Sequence, residues 1–67
     1  MNTEIFSKRL KKAREEKGYS QRELGIRVGL SDKSISMYEK GIVYPPVTNL
    51  LKIANELGKD ISYFLKE

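Results

Sequence analysis

Between Val28 and Asp32 the chain has only Gly29, Leu30 and Ser31 in which to end one helix and begin another. A glycine can take the left-handed conformation that stops a helix. A serine can accept a backbone N–H at the start of the next one. A link this short forces a sharp corner between the two helices. The rest of the chain is then read as the framework that holds this corner.

The helix before the corner is expected over residues 20–28. Ser20 and Glu23 form an S-x-x-E capping box, and Tyr19 with Leu24 has the spacing of a hydrophobic staple. Leu30 and Ile35 repeat that staple one helix later. Leu24 and Val28 face the core. Gly25 interrupts this helix, at a cost of about 1 kcal/mol relative to alanine. Close packing against a neighbouring helix is the expected reason. The helix after the corner covers about 32–40. Ile35 points inward and Tyr38 packs partly against it. Asp32, Lys33, Ser34, Ser36, Met37 and Lys40 have no evident task in a core.

Three further helices are expected around the corner. Residues 3–17 carry Phe6, Leu10 and Ala13 on one stripe, widened by Ile5. Thr3 or Asn2 can cap this helix, and Gly18 ends it. Lys11 with Glu15, and Lys12 with Glu16, stand one turn apart, in the weaker orientation for such pairs. The basic face of this helix fits a solvated surface or a phosphate contact. A membrane-surface or calmodulin-target helix fits less well, because the apolar face is small and acidic residues break the basic run. Pro45 and Pro46 make the segment after Gly41 extended. Residues 47–57 carry the stripe Leu50, Ile53, Ala54 and Leu57, and Gly58 stops them. Asp60 caps a last short helix over 61–67, where Ile61, Phe64 and Leu65 close the core. Strand alternation, internal repeats and linkers are absent. The expectation is one all-α domain over residues 1–67.

Several classes of function are excluded or made remote. The 67 residues contain no cysteine and no histidine. Disulfides are therefore impossible, zinc sites of the Cys/His kind are excluded, and the usual histidine bases are missing. An enzyme would have to rest on Ser, Lys or carboxylate pairs, and Ser34, Lys33, Asp32 and Ser36 imply no pocket. No enzyme activity, metal or cofactor is expected. No apolar run approaches the roughly 20 residues that span a bilayer. The N-terminus has no apolar signal region, and the lack of cysteine suits the cytoplasm. A net charge of +4 favours a polyanionic partner.

A series of motifs at fixed spacing goes further. It comprises G-Y-S-Q-R-E-L-G at 18–25, G-L-S at 29–31, I-S at 35–36, Y-E-K-G at 38–41, the prolines at 45–46, and L-L-K-I-A-N-E-L-G at 50–58. Together these resemble the Cro/C1-type (XRE-family) helix-turn-helix domain of phage repressors and small bacterial regulators. The resemblance implies a compact five-helix, lambda-repressor-like fold with the helix-turn-helix at helices two and three, about residues 20–40. In that family the third helix lies in the major groove of DNA, with its N-terminal residues on base edges.

Carried over position by position, Asp32, Lys33, Ser36 and Met37 become base-contact candidates. Lys33 can donate to guanine O6 or N7, Ser36 can bond either way, Met37 can touch a thymine methyl, and Asp32 can accept from cytosine N4. Asp32 departs from relatives that carry neutral or basic groups there, and it also suits the helix dipole. Gln21 matches a phosphate-anchoring position, helped by the free amides of its helix start. Arg22, Ser34, Tyr38, Lys40 and Tyr44 are further phosphate candidates, Tyr38 being equally a core residue. Arg14 and Glu39 match a partly buried ion pair between helices one and three that orients the reading helix. Gly25 stands where the family usually has alanine.

The implied function is that of a sequence-specific, double-stranded-DNA-binding transcriptional regulator, a repressor in the favoured form. It would act in the cytoplasm as a homodimer on a palindromic operator. The family often pairs through the last helix and the segment after it, which points to Val43, Tyr44, Tyr63 and Phe64 as candidates. The alternative is a protein-interaction module on the same fold, of antitoxin or regulator-partner type. The basic balance and the polar outer face of helix three weigh against it.

Overall fold

The computed structural model describes residues 3–66. Among them five helices follow one another, with no strand: α1 (Thr3–Glu16), α2 (Gln21–Val28), α3 (Asp32–Glu39), α4 (Val47–Leu57) and α5 (Ile61–Leu65). Local chemistry sets the boundaries. The Ser20 hydroxyl caps α2 by accepting the Glu23 N–H at 2.9 Å. Ser31 caps α3 in the same way, accepting from the Ser34 N–H at 3.0 Å. The return half of the capping box is not made. The Glu23 carboxylate turns to Arg27, 2.8 Å away, because a charged donor one turn along is a stronger partner than a neutral amide.

At the corner, Gly29 has φ +73°. The Leu30 N–H donates to the Gly25 carbonyl at 2.7 Å and the Gly29 N–H to that of Ile26 at 3.3 Å. This pair of bonds satisfies carbonyls that a helix end would otherwise leave open. The same pair closes α1, α3 and α4. The ends differ slightly from expectation. α1 and α3 stop one residue early, Thr3 is already helical, and α5 ends at Leu65 with Lys66 extended. Asn2 and Glu67 lie outside the described residues.

One buried cluster takes side chains from every helix: Phe6, Leu10 and Ala13, then Leu24 and Val28, Ile35 and Tyr38, Leu50, Ile53, Ala54 and Leu57, and Phe64. Leu65 does not join it and is 38% exposed. α2 and α3 have eight residues each, fewer than the about 12–15 that an isolated helix needs to persist in water. Their stability is therefore tertiary. They pack on each other, with α1 against α3 and α4 against α2. Fully burying side chains such as Leu24 and Ile35 contributes roughly 1.5–3 kcal/mol each.

Two expectations about local contacts need correction. A Cβ at Gly25 would sit 2.7 Å from the Leu30 carbonyl oxygen and 3.1 Å from the Ser31 carbonyl carbon. The close approach thus comes from the backbone of the turn, including Ser31, the cap of α3, rather than from side chains packed along a neighbouring helix. The turn folds Leu30 back over the residue whose carbonyl it bonds, and any side chain there has to push the corner open. The pairs Lys11–Glu15 and Lys12–Glu16 do not form among the described residues. Glu16 meets Lys59 at 3.4 Å, and the pair within α1 is Glu4–Lys8 at 3.1 Å, in the orientation the helix dipole favours. Arg9, on the same helix, spans 2.6 Å bonds to the carbonyls of Tyr63 and Lys66 and so ties down the end of α5.

Asp60 caps α5 by accepting the Ser62 N–H at 2.9 Å. That bond, with help from the Ser62 hydroxyl, holds the Asp60 carboxyl below the ordinary aspartate value. A lowered folded-state value means that the cap stabilises above the unfolded-state value, about 3.9, and that the contribution fades as pH falls through the folded one. An NMR titration of the Asp60 carboxyl is expected to give a midpoint below that of an unperturbed aspartate. Asp60→Asn should remove this step from the acid unfolding curve while keeping the helix capped.

Candidate nucleic-acid interface

α3 divides its side chains sharply. Ile35 and Tyr38 turn inward, with 0% and 7% exposure. On the other side Asp32 and Lys33 are exposed, and Ser36 and Met37 are half-buried. Positions 32, 33, 36 and 37 follow the helical repeat and share one face. Neither Asp32 nor Lys33 makes an ion pair among the described residues, so both charges are left to solvent or to a ligand. Arg22 and Lys40 are exposed as well. Ser34 is half-buried, and its hydroxyl lies 3.0 Å from that of Ser31, within the cap.

The two tyrosines belong chiefly to the core. The Tyr38 ring meets Phe6 edge-on, centroids 6.4 Å apart. The Tyr44 ring lies 5.2 Å from Phe6 and is half-buried. Neither is presented like the charged residues around α3, because the apolar rings have a better partner in Phe6 than in water.

An ion pair joins the end of α3 to α1. Arg14 grips Glu39 through two parallel bonds, Nε to Oε2 at 2.5 Å and Nη2 to Oε1 at 2.9 Å. Its remaining Nη1 donates to the Tyr19 carbonyl at 2.7 Å. The side chains are 10% and 4% exposed. The Glu39 carboxylate raises the pKa of Arg14, against the opposing effect of burial. One guanidinium thus ties the end of α3 to α1 and to the segment that leads into α2. Gln21 joins the same group, its Nε2 donating to Glu39 Oε1 at 3.1 Å. This bond has no signal in local spacing, since the two residues are 18 apart.

A second network supports α2 from outside. Arg27 stacks over the Tyr19 ring at 4.5 Å and reaches Glu56 on α4 at 3.4 Å, while the Tyr19 hydroxyl donates to Glu56 at 3.1 Å. Burial, followed by the Glu56 bond, raises the pKa of Tyr19.

The residues expected to pair two copies are placed differently from that expectation. Phe64 is 0% exposed. Tyr63 is half-buried, with the cations of Arg9 and Lys59 at 5.5 and 4.8 Å from its ring. With Tyr44 also packed inward, only Val43 faces out. The exposed apolar residues are instead Ile42, Val43, Val47 and Leu51, with Ile26 and Leu65 elsewhere. Val47 and Leu51 stand one turn apart on α4, outside its buried stripe. Among the described residues there is no cluster of acidic side chains suited to a metal, and no helix is long and apolar enough to cross a membrane.

Comparison with known proteins bears on the family and the fold. A helix-turn-helix family model matches residues 10–64. The chain is 37% identical over 62 residues to the SPbeta prophage-derived HTH-type transcriptional regulator YonR of Bacillus subtilis, covering 92% of this chain and 57% of that protein. The chain spans about half the length of the curated relatives it matches. Among solved structures, the DNA-binding domain of the P22 C2 repressor superposes with a TM-score of 0.88 at 33% identity, covering 98% of this chain and 87% of that one. The restriction-modification controller protein C.AhdI of Aeromonas hydrophila gives 0.87 at 28% identity, covering 94% and 91%.

Proposed function

The chain belongs to the helix-turn-helix family of the XRE (Cro/C1) type, and from that premise we propose that it binds double-stranded DNA as a transcriptional regulator, with α3 in the major groove. The observation that carries this is the outer face of α3. Asp32, Lys33, Ser36 and Met37 stand together within the first six of its eight residues, on a helix whose other side is fully engaged. Gln21, Arg22, Ser34 and Lys40 are the phosphate contacts of the reading, with Tyr38 and Tyr44 acting mainly as core residues. A repressor is the favoured form, since a domain seated in the groove can exclude other proteins from the same site. Such a regulator works in the cytoplasm, where the DNA is.

A single domain of this size covers a short stretch of duplex, so selectivity calls for two copies on inverted half-sites about 34 Å apart, one helical turn. We assign the pairing surface to Ile42, Val43, Val47 and Leu51. Exposed apolar groups gathered in one stretch of chain are costly to leave in water and suit a partner.

The test is selection of bound sequences from a random duplex pool. A palindromic consensus is the expected result, and absence of enrichment at low salt would overturn the reading. Affinity should also fall steeply with salt, by a slope of about 0.9 in log–log terms for each phosphate neutralised. An apolar protein interface would lack that dependence.

Lys33→Ala is the sharpest single test of the base-reading face. It is expected to weaken binding to the selected site by about 1–3 kcal/mol and to relax preference at one base pair. Thermal stability should shift by less than about 0.5 kcal/mol, because the side chain is exposed and unpaired. Unchanged affinity and preference, measured by titration on the selected and single-base-altered duplexes, would remove Lys33 from the face.

A further inference from the structure

Glu39 accepts from three donors on two other helices, and one of them is the amide of Gln21. Only the NH2 end of an amide can face a carboxylate, since its carbonyl oxygen would be repelled. The 3.1 Å bond therefore determines which way round Gln21 is held. Its oxygen is turned from Glu39, one N–H is engaged, and the second N–H remains available. A free glutamine at the start of a helix presents either end to an approaching phosphate, and only the NH2 end is productive.

We propose that Glu39 is a positioning residue for DNA: held by Arg14, its carboxylate fixes the Gln21 amide with an N–H ready for a backbone phosphate. The inference rests on the reading of this surface as a DNA interface. Arg14 has two parts in it. Its bidentate grip places Glu39, which is 4% exposed in its side chain. It also neutralises a negative charge that would otherwise lie one bond away from the incoming phosphate. The ion pair thus does more than join α1 to α3, because it orders a contact residue on α2 before DNA arrives. Ordering a side chain in advance removes part of the entropy lost on binding.

Non-additivity separates this from a purely structural role. In the otherwise unaltered chain, Gln21→Ala should lower affinity for duplex DNA about tenfold, the effect of one hydrogen bond to a charged group. With Arg14→Met and Glu39→Leu together, which remove the pair without burying an unmatched charge, the same change should cost less than about twofold. An equal loss in both backgrounds would overturn the proposal. A measurement without variants guards against a failure to fold: the NMR order parameter of the Gln21 side-chain amide should be near the rigid value of about 0.85, and a value below about 0.6 would overturn it. Absence of any duplex binding by the unaltered chain would instead strike the DNA reading itself. Binding with a mobile Gln21 amide would leave that reading intact and sink only the role of Glu39.

Discussion

Replacing Arg14 with alanine is expected to lower the stability of the folded chain by about 3–5 kcal/mol and to remove most duplex binding. The loss is large because of what remains. The Glu39 carboxylate, 4% exposed in its side chain, would keep only the Gln21 amide as a partner. The Tyr19 carbonyl would also lose its donor. A chain of 67 residues has roughly 3–10 kcal/mol of total stability at the usual 0.05–0.15 kcal/mol per residue. The substitution therefore reaches the scale of the whole. Replacing both partners, Arg14→Met with Glu39→Leu, should cost much less, since a buried ion pair and a well-packed apolar pair are often close in free energy. Urea unfolding followed by circular dichroism distinguishes these cases. An unchanged midpoint and full DNA affinity in Arg14→Ala would show that the pair supports nothing.

Phe6→Ala is expected to be as damaging, at about 3–5 kcal/mol, for a different reason. Phe6 is 0% exposed. Its ring meets Tyr38 of α3, Tyr44 of the extended segment and Phe64 of α5, with centroids 6.4, 5.2 and 5.9 Å away. Truncation opens a cavity bordered by three rings from three parts of the chain, and none of them can fill it without leaving another contact. Tyr38 backs the proposed reading helix, so α3 should loosen along with the core. Phe6→Leu, which keeps most of the volume, should lose far less and still bind duplex. Thermal melts of the two variants, with an amide spectrum to locate the disturbed residues, check both parts. A melting temperature for Phe6→Ala within a few degrees of the parent would contradict the central place given to this ring.

Much of the architecture is legible in the sequence. Ser20, Ser31 and Asp60 mark helix starts, Gly29 and Gly58 mark ends, and the stripe of Leu50, Ile53, Ala54 and Leu57 names a buried face. These signals reach three or four residues along the chain, the range over which a cap or a helical repeat acts. Where expectation and structure part, the deciding contact comes from farther off or from competition. Glu16 leaves Lys12 for Lys59. Glu23 leaves the cap for Arg27. Phe64, read both as a core residue and as a pairing residue, is wholly covered, with Phe6 against its ring, and serves the core alone. The Arg14–Glu39 pair came from resemblance to a family and has no local signature, its partners being 25 residues apart.

For the candidate interface the division is similar. The exposed polar set on α3 follows from counting residues that no core requires, which a sequence allows. The direction in which Gln21 is held does not follow from any count. It depends on a carboxylate from α3 arriving beside the start of α2, and on a guanidinium from α1 arriving beside the carboxylate. By itself the sequence determined where helices begin and end, which faces are apolar and how tight the corner at Gly29 must be, because those are short-range consequences of backbone hydrogen bonding and side-chain period. Only the tertiary structure decided which charges pair, that Tyr44 and Tyr63 turn partly inward and how the contact residues are oriented. Those outcomes depend on groups far apart in the chain competing for the same partner at a distance of a few ångströms.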